Sequence, residues 1–228
     1  MKSELPLRPI QKDSVKDRVY FELRNALMLG AFRPGMALTI PDLAETFGTS
    51  HMPVREALRR LVSEQALTTL SNRSVAVPTL TLERYEDLLR TRIVVEGTAA
   101  AWASASVSGD QLDNIKLLNG ELNRQGRRSA KDRFLAAHLD FHFAVYRSAG
   151  SHVAMPIIEI LWLQIGPYHN LMFEADEFQL GNHHHDELIH ALERRDGKAA
   201  RSAIERDLIM FADIIRPALK ALAPKSST

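Results

Sequence analysis

The sequence predicts a mainly α-helical protein in two parts: a short N-terminal unit of three helices closed by a β-hairpin, then an all-α antiparallel helical bundle. Three observations carry this. Apolar residues recur at helical spacing through most of the 228 residues. Glycine, proline and Ser/Thr caps cut that pattern into helix-length pieces. Two short β-prone runs, 67–70 and 74–78, stand side by side around the polar link Ser71-Asn72-Arg73.

A first helix is expected over 14–29, with Ser14 as cap, Asp17 in the first turn and Gly30 as stop. Its apolar face reads Val15, Val19, Leu23, Ala26 and Leu27. Pro34-Gly35 marks a turn. A short helix over 41–47 directs Leu43, Ala44 and Phe47 inward and ends at Gly48. Ser50 then caps a third helix, 51–65. Val54, Ala57, Leu58, Leu61 and Val62 line its inner side, and His51, Met52, Arg55 and Arg59 its outer side. Three helices followed by a hairpin within about 65 residues outline a winged helix-turn-helix.

Thr79 to Thr81 marks the boundary, giving an arm (1–13), a winged helix-turn-helix (14–78) and a helical part (79–228). Thr81 caps a helix to about residue 105. Further helices are expected over 110–125, 130–149, 153–173, 182–195 and 198–221, with Gly109, Gly126, Gly150, Gly181 and Asp196-Gly197 as breaks and a kink at Pro167.

Composition bounds the function. With no cysteine among the 228 residues, a disulfide-stapled fold, a thiolate zinc finger and a thiol nucleophile are excluded. No run of about 18 uncharged apolar residues occurs, so no membrane partner is expected. The polar opening, broken by Pro6 and Pro9, does not read as a signal peptide, which makes a cytoplasmic location the expectation. The net charge of +1 divides into +3 for residues 1–78 and −2 for the rest, and eight of the nine histidines lie in the second part.

The outer side of the third helix has the chemistry of a DNA reader. The second helix of a helix-turn-helix enters the major groove, braced by the first. Arg55 and Arg59, one turn apart, can reach a guanine edge or neighbouring phosphates. Thr49 and Ser50 stand at a helix N-terminus, where a phosphate is favoured. Arg73 at the hairpin tip reaches a phosphate or the minor groove. The plain alternative is a solvated amphipathic face, which the order of elements disfavours. Operator DNA is the expected partner. Because two-fold sites need two-fold proteins, so is a second copy of this chain. The apolar residues Leu88, Ile93 and Val94, and the run 162–173, are candidates for the surface it would cover.

The histidines suggest a second chemistry. His138 and His142 are four apart and share a helix face. His185 stands 11 residues before Asp196 and Asp207 stands 11 after it, so a hairpin turning at Asp196-Gly197 brings them level. Three imidazoles and one carboxylate suit a divalent ion, zinc foremost, with nickel, manganese or iron also accommodated. Asp140 is an alternative to His138 on another face. His183 and His184 are expected to be exposed, His190 partly buried. Chance assembly of four polar residues is the competing reading. Arg92, four before Glu96, either forms an intrahelical ion pair or turns inward to hold a carboxylate effector. Tyr168 and His169 are candidates to line that cavity.

The run Pro53-Val54-Arg55-Glu56-Ala57-Leu58, with Gly30, Pro34-Gly35, Leu43-Ala44, Leu61 and Asn72-Arg73, resembles the DNA-binding domain of GntR-family transcription regulators over about 50 residues. The helical remainder resembles the FCD effector domain of the FadR subfamily. His51 replaces the family's usual Arg, and Ser74 its usual wing Gly. Metal-binding FCD domains resemble this chain around Phe141-His142, but their Asp falls where this chain has His138, and their last His where it has Asp207. The resemblance implies a metal-binding, ligand-responsive regulator, a repressor relieved by a small organic acid. A metal-dependent enzyme using the same four residues, or a regulator with a purely structural ion, are the alternatives.

Overall fold

The structure, a computed structural model, describes residues 15–70, 74–79, 81–124, 131–169, 171 and 183–222. The predicted arm, the Ser14 cap, the hairpin link with Arg73, and the breaks at Gly126 and Gly181 lie outside the described residues.

The chain is mainly helical, as expected. Helix α1 (Val15–Met28) is followed by β1 (Ala37–Leu38), α2 (Ile40–Thr46), α3 (His51–Ser63), β2 (Thr68–Thr69) and β3 (Val75–Ala76). Val54, Ala57, Leu58 and Leu61 are buried on α3, as its period demands. The hairpin gains a third strand, β1, just after the expected Pro34-Gly35 turn. β3 is central, pairing antiparallel with β1 (Leu38 opposite Val75) and with β2 (Thr69 opposite Val75). Two residues of β1 are too few to show a period.

The second part holds α4 (Leu82–Ser106), α5 (Gly109–Arg124), α6 (Lys131–Ser148) and α7 (Ala154–Ile165). A 3-10 turn (Gly166–His169), α8 (His183–Glu193) and α9 (Gly197–Leu222) complete it. Thr81 caps α4 by accepting from the Arg84 amide at 3.2 Å. Pro167 does not kink a continuous helix. α7 stops at Ile165 and tightens into the 3-10 turn, which lets the proline ring avoid the carbonyl one turn back.

α1 departs from its predicted single face. Val15 is exposed, whereas Tyr20 and Met28 are buried beside Val19, Leu23 and Leu27. The reason is a second neighbour: besides α3, the helix packs on α7 and the 3-10 turn. A Cβ on Gly166 would collide with the Leu27 carbonyl and stand 2.8 Å from Met28 Cα, so only glycine permits this approach. Arg24 pairs with Glu159 at 2.6 Å, Gln164 Nε2 donates to the Glu64 carbonyl at 3.4 Å, and the Tyr168 hydroxyl donates to the Pro78 carbonyl. Arg84 donates to the side-chain oxygens of Gln65 and Gln164 at 3.0 and 3.1 Å.

The apolar surface also differs from expectation. Leu88 and Trp162 are buried and Ile93 is half-buried; of the predicted candidates on α4, Val94 alone is exposed. Val153, just before α7, and Ile157 and Ile160 on it are exposed instead.

Candidate metal centre and DNA-facing surface

α6 turns one stripe into the core, and His138, His142 and Tyr146 follow it at successive turns. Asp196 Oδ1 accepts from the Ala199 amide at 2.9 Å, capping α9, and the left-handed Arg195 (φ 54°) closes the α8–α9 hairpin. The hairpin brings His185 Nε2 to 3.2 Å from Asp207 Oδ1. His142 Nε2 lies 3.4 Å from Asp207 Oδ2. His138, His142, His185 and Asp207 are all buried, and each offers a donor atom within 4.8 Å of the other three.

These atoms are not satisfying one another. Among the described residues His138 Nε2, His142 Nε2, both ring nitrogens of His185 and Asp207 Oδ2 are buried without a hydrogen-bond partner. Each such atom costs about 1–3 kcal/mol if nothing replaces its lost water. A divalent ion would replace it, and donor atoms already within 4.8 Å of one another could close on a single one. The donors fit the ion. Burial, reinforced by the neighbouring imidazoles, holds His138 well below the ordinary histidine range. Burial lowers His142 to about 3 against the opposing pull of Asp207. Burial would raise Asp207, but His185 and His142 outweigh it and keep the carboxyl below its usual range. Neutral imidazoles beside a carboxylate are the ligand forms.

The outlying histidines sort cleanly. Asp140 is exposed, as is His183, whereas His184 is half-buried. His190, expected to be partly buried, is exposed and pairs with Glu193 at 3.1 Å, because no described helix covers the α8 face it occupies. His169 is the one the spacing argument left aside. Its ring lies 5.9 Å from that of His138 and 5.7 Å from that of Trp162. Burial, with Arg92 nearby, lowers it to about 3.

Arg92 forms the expected intrahelical ion pair, and does so facing inward. It is buried, and it pairs with Glu96 through Nε at 2.5 Å and a terminal nitrogen at 3.2 Å. Glu96 also accepts from the Tyr146 hydroxyl at 2.6 Å and from Trp162 Nε1 at 3.1 Å. Sequence reasoning missed Tyr146 and Trp162. The four-residue step from His142 to Tyr146 was the available signal.

On the first part of the chain, Ser50, His51, Met52, Arg55 and Arg59 are exposed on one side of α3, with Thr49 half-buried before them. Ser50 occupies the cap position without making a side-chain capping bond, so its hydroxyl and the first amides of α3 remain open to an anion. Arg59 is paired with Glu56 at 3.0 Å. Arg55 and Arg59 border a cleft of about 640 Å³ between α3 and the sheet.

A helix-turn-helix with a small sheet, joined to a helical bundle around a buried histidine cluster, defines the class. Residues 15–77 match the bacterial regulatory proteins of the gntR family, and residues 87–209 match the FCD domain. The chain belongs to this family and is a DNA-binding transcription regulator with an FCD domain. It is 28% identical to the HTH-type transcriptional regulator McbR of Escherichia coli, over 80% of this chain and 84% of that one. The solved structure of E. coli McbR/YncC superposes with a TM-score of 0.84 at 26% identity, covering 90% of this chain and 99% of the other. The HTH-type transcriptional repressor GlaR of E. coli is 23% identical over 88% of this chain and 95% of its own length. Among the described residues no helix is long and apolar enough to cross a membrane.

Proposed function

We propose that the protein is a dimeric repressor whose residues 14–78 bind operator DNA and whose helical part senses a small organic acid at a divalent metal centre. The observation that carries the sensing half is the convergence of four buried donor atoms, one each from His138, His142, His185 and Asp207, in residues whose buried polar atoms are left without hydrogen-bond partners among the described residues. Those four residues hold the ion, with zinc the best match to three imidazoles and a carboxylate. When bound, it supplies open coordination positions to a carboxylate oxygen. Arg92 adds a buried cation nearby, and His169 borders the same space. No residue is assigned a catalytic role.

The DNA-reading half uses Arg55 for base edges, with Arg59, His51, Met52 and the open N-terminus of α3 (Thr49, Ser50) for flanking contacts; Arg73 is assigned to the wing contact. Repression matches what the GlaR name says of that relative. Ligand occupancy acts only if it favours one placement of the head over another. The 3-10 turn is the element suited to carry that preference: His169 faces the histidine cluster, Tyr168 holds Pro78, and Gly166 abuts α1.

Gel shift on the DNA upstream of the gene itself, with and without candidate acids, tests this reading. Sequence-selective binding at moderate salt, weakened by one acid, is expected; no sequence preference would defeat it. The burial of all four donors also suits a purely structural ion. In that case chelation would unfold the helical part, and no acid would shift DNA binding.

A further inference from the structure

The Arg92–Glu96 pair does more than neutralise itself. Glu96 Oε2 lies 3.2 Å from an Arg92 terminal nitrogen, 3.1 Å from Trp162 Nε1 and 2.6 Å from the Tyr146 hydroxyl, while Oε1 faces Arg92 Nε at 2.5 Å. The guanidinium and indole nitrogens can only donate. With Arg92 donating to both oxygens and the indole to one, Glu96 is held as a carboxylate, and the Tyr146 O–H donates to it. The tyrosine oxygen then has only lone pairs left for its second neighbour, His142 Nδ1, 3.2 Å away. Two acceptors cannot face each other at that distance in a dry interior, so His142 carries its proton on Nδ1.

We propose that Tyr146, clamped by the Arg92–Glu96 pair, is the positioning residue that holds His142 in the Nδ1–H tautomer and so delivers an unprotonated Nε2 to the cluster. The inference rests on the reading of that cluster as a metal centre, and extends it to the layer behind the ligands. A ligating imidazole needs its other nitrogen held, because the hydrogen bond there decides which nitrogen is free and how the ring is aimed. Nε2 is the His142 atom left buried without a partner, 3.4 Å from Asp207. The whole relay is buried: Arg92 is 5% exposed, Glu96 0% and Tyr146 1%. Bulk water does not compete for the proton.

The test uses the full-length protein with ¹⁵N-labelled histidine, stripped of metal at neutral pH, and two-bond ¹H–¹⁵N correlation spectra. Wild-type His142 should show the Nδ1–H pattern, and Tyr146→Phe, which keeps the ring and removes only the hydroxyl, should lose it. Trp162→Phe also takes a donor from Glu96 but does not touch His142 Nδ1, so it should keep the pattern. Zinc affinity, measured by competition with a chromophoric chelator, should fall about 10–100-fold in Tyr146→Phe. An Nε2–H pattern in the wild type, an unchanged pattern in Tyr146→Phe, or unchanged zinc affinity in that variant overturns the proposal, even if the wild type binds zinc. A wild type that takes up no zinc removes the metal reading and with it the relay's purpose, whereas the metal-free spectrum by itself decides the tautomer.

Discussion

His185 and Asp207 stand 3.2 Å apart across the α8–α9 hairpin, buried together, yet among the described residues neither ring nitrogen of His185 has a hydrogen-bond partner. The hairpin register creates this contact, and a shared cation would satisfy it. Replacing Asp207 by Ala should remove the only carboxylate of the set and with it most of the bound metal. Elemental analysis of purified wild type and Asp207→Ala, with His142→Ala alongside, checks this; equal metal content in all three would contradict the assignment.

The depressed histidines make stability depend on pH with a definite sign. Without metal, burial lowers His142 and His169 to about 3 in the folded chain, against about 6.5 unfolded. Between those values the unfolded state binds more protons, so stability rises with pH from about 3 to about 6.5 and is level above. Each histidine contributes at most about 1.4 kcal/mol per pH unit in that window. Thermal melts should therefore shift down between pH 7 and pH 5, and His169→Gln should flatten the slope. A melting temperature constant over that interval would refute the depressed values.

Gly166 should tolerate no side chain. In Gly166→Ala the added methyl meets the Leu27 carbonyl and the Met28 backbone, which cannot yield as a flexible side chain would. A loss of about 3 kcal/mol is expected from this overpacking, read as a lower denaturant midpoint. Wild-type stability in this variant would show that α1 does not rest on the turn.

Tyr168→Phe tests the coupling more gently. It deletes the bond to the Pro78 carbonyl and leaves the ring in the core. DNA affinity without effector should change little, while the effector's influence on that affinity should shrink several-fold. An unaltered response in gel shift would assign the coupling elsewhere.

Arg55→Ala should cost about 1–3 kcal/mol of specific DNA binding and relax the preference at one base position, leaving metal content untouched. Arg59→Ala should cost less, because Glu56 already holds that guanidinium. Equal losses on operator and random DNA for Arg55→Ala would reduce its role to a phosphate contact.

Much of this was legible in the residue order. Period, caps and breakers are local properties, so most helix boundaries (the end of α7 excepted), the split of α3 into an apolar and a cationic side, and the four-residue step from His138 to His142 needed no coordinates. Counting outward from Asp196 placed His185 level with Asp207, because a helical hairpin has one geometry once its turn is known. What only the tertiary structure decided is which faces find a second neighbour. α1 buries Tyr20 and Met28 but not Val15 because α7 and the 3-10 turn cover its far side. His169 joins the cluster, and Arg92, Glu96, Tyr146 and Trp162 form one relay, only because α4, α6 and α7 converge there. Burial and hydrogen bonding between distant segments depend on how elements dock. A sequence period reports that a face is apolar, not what comes to lie against it.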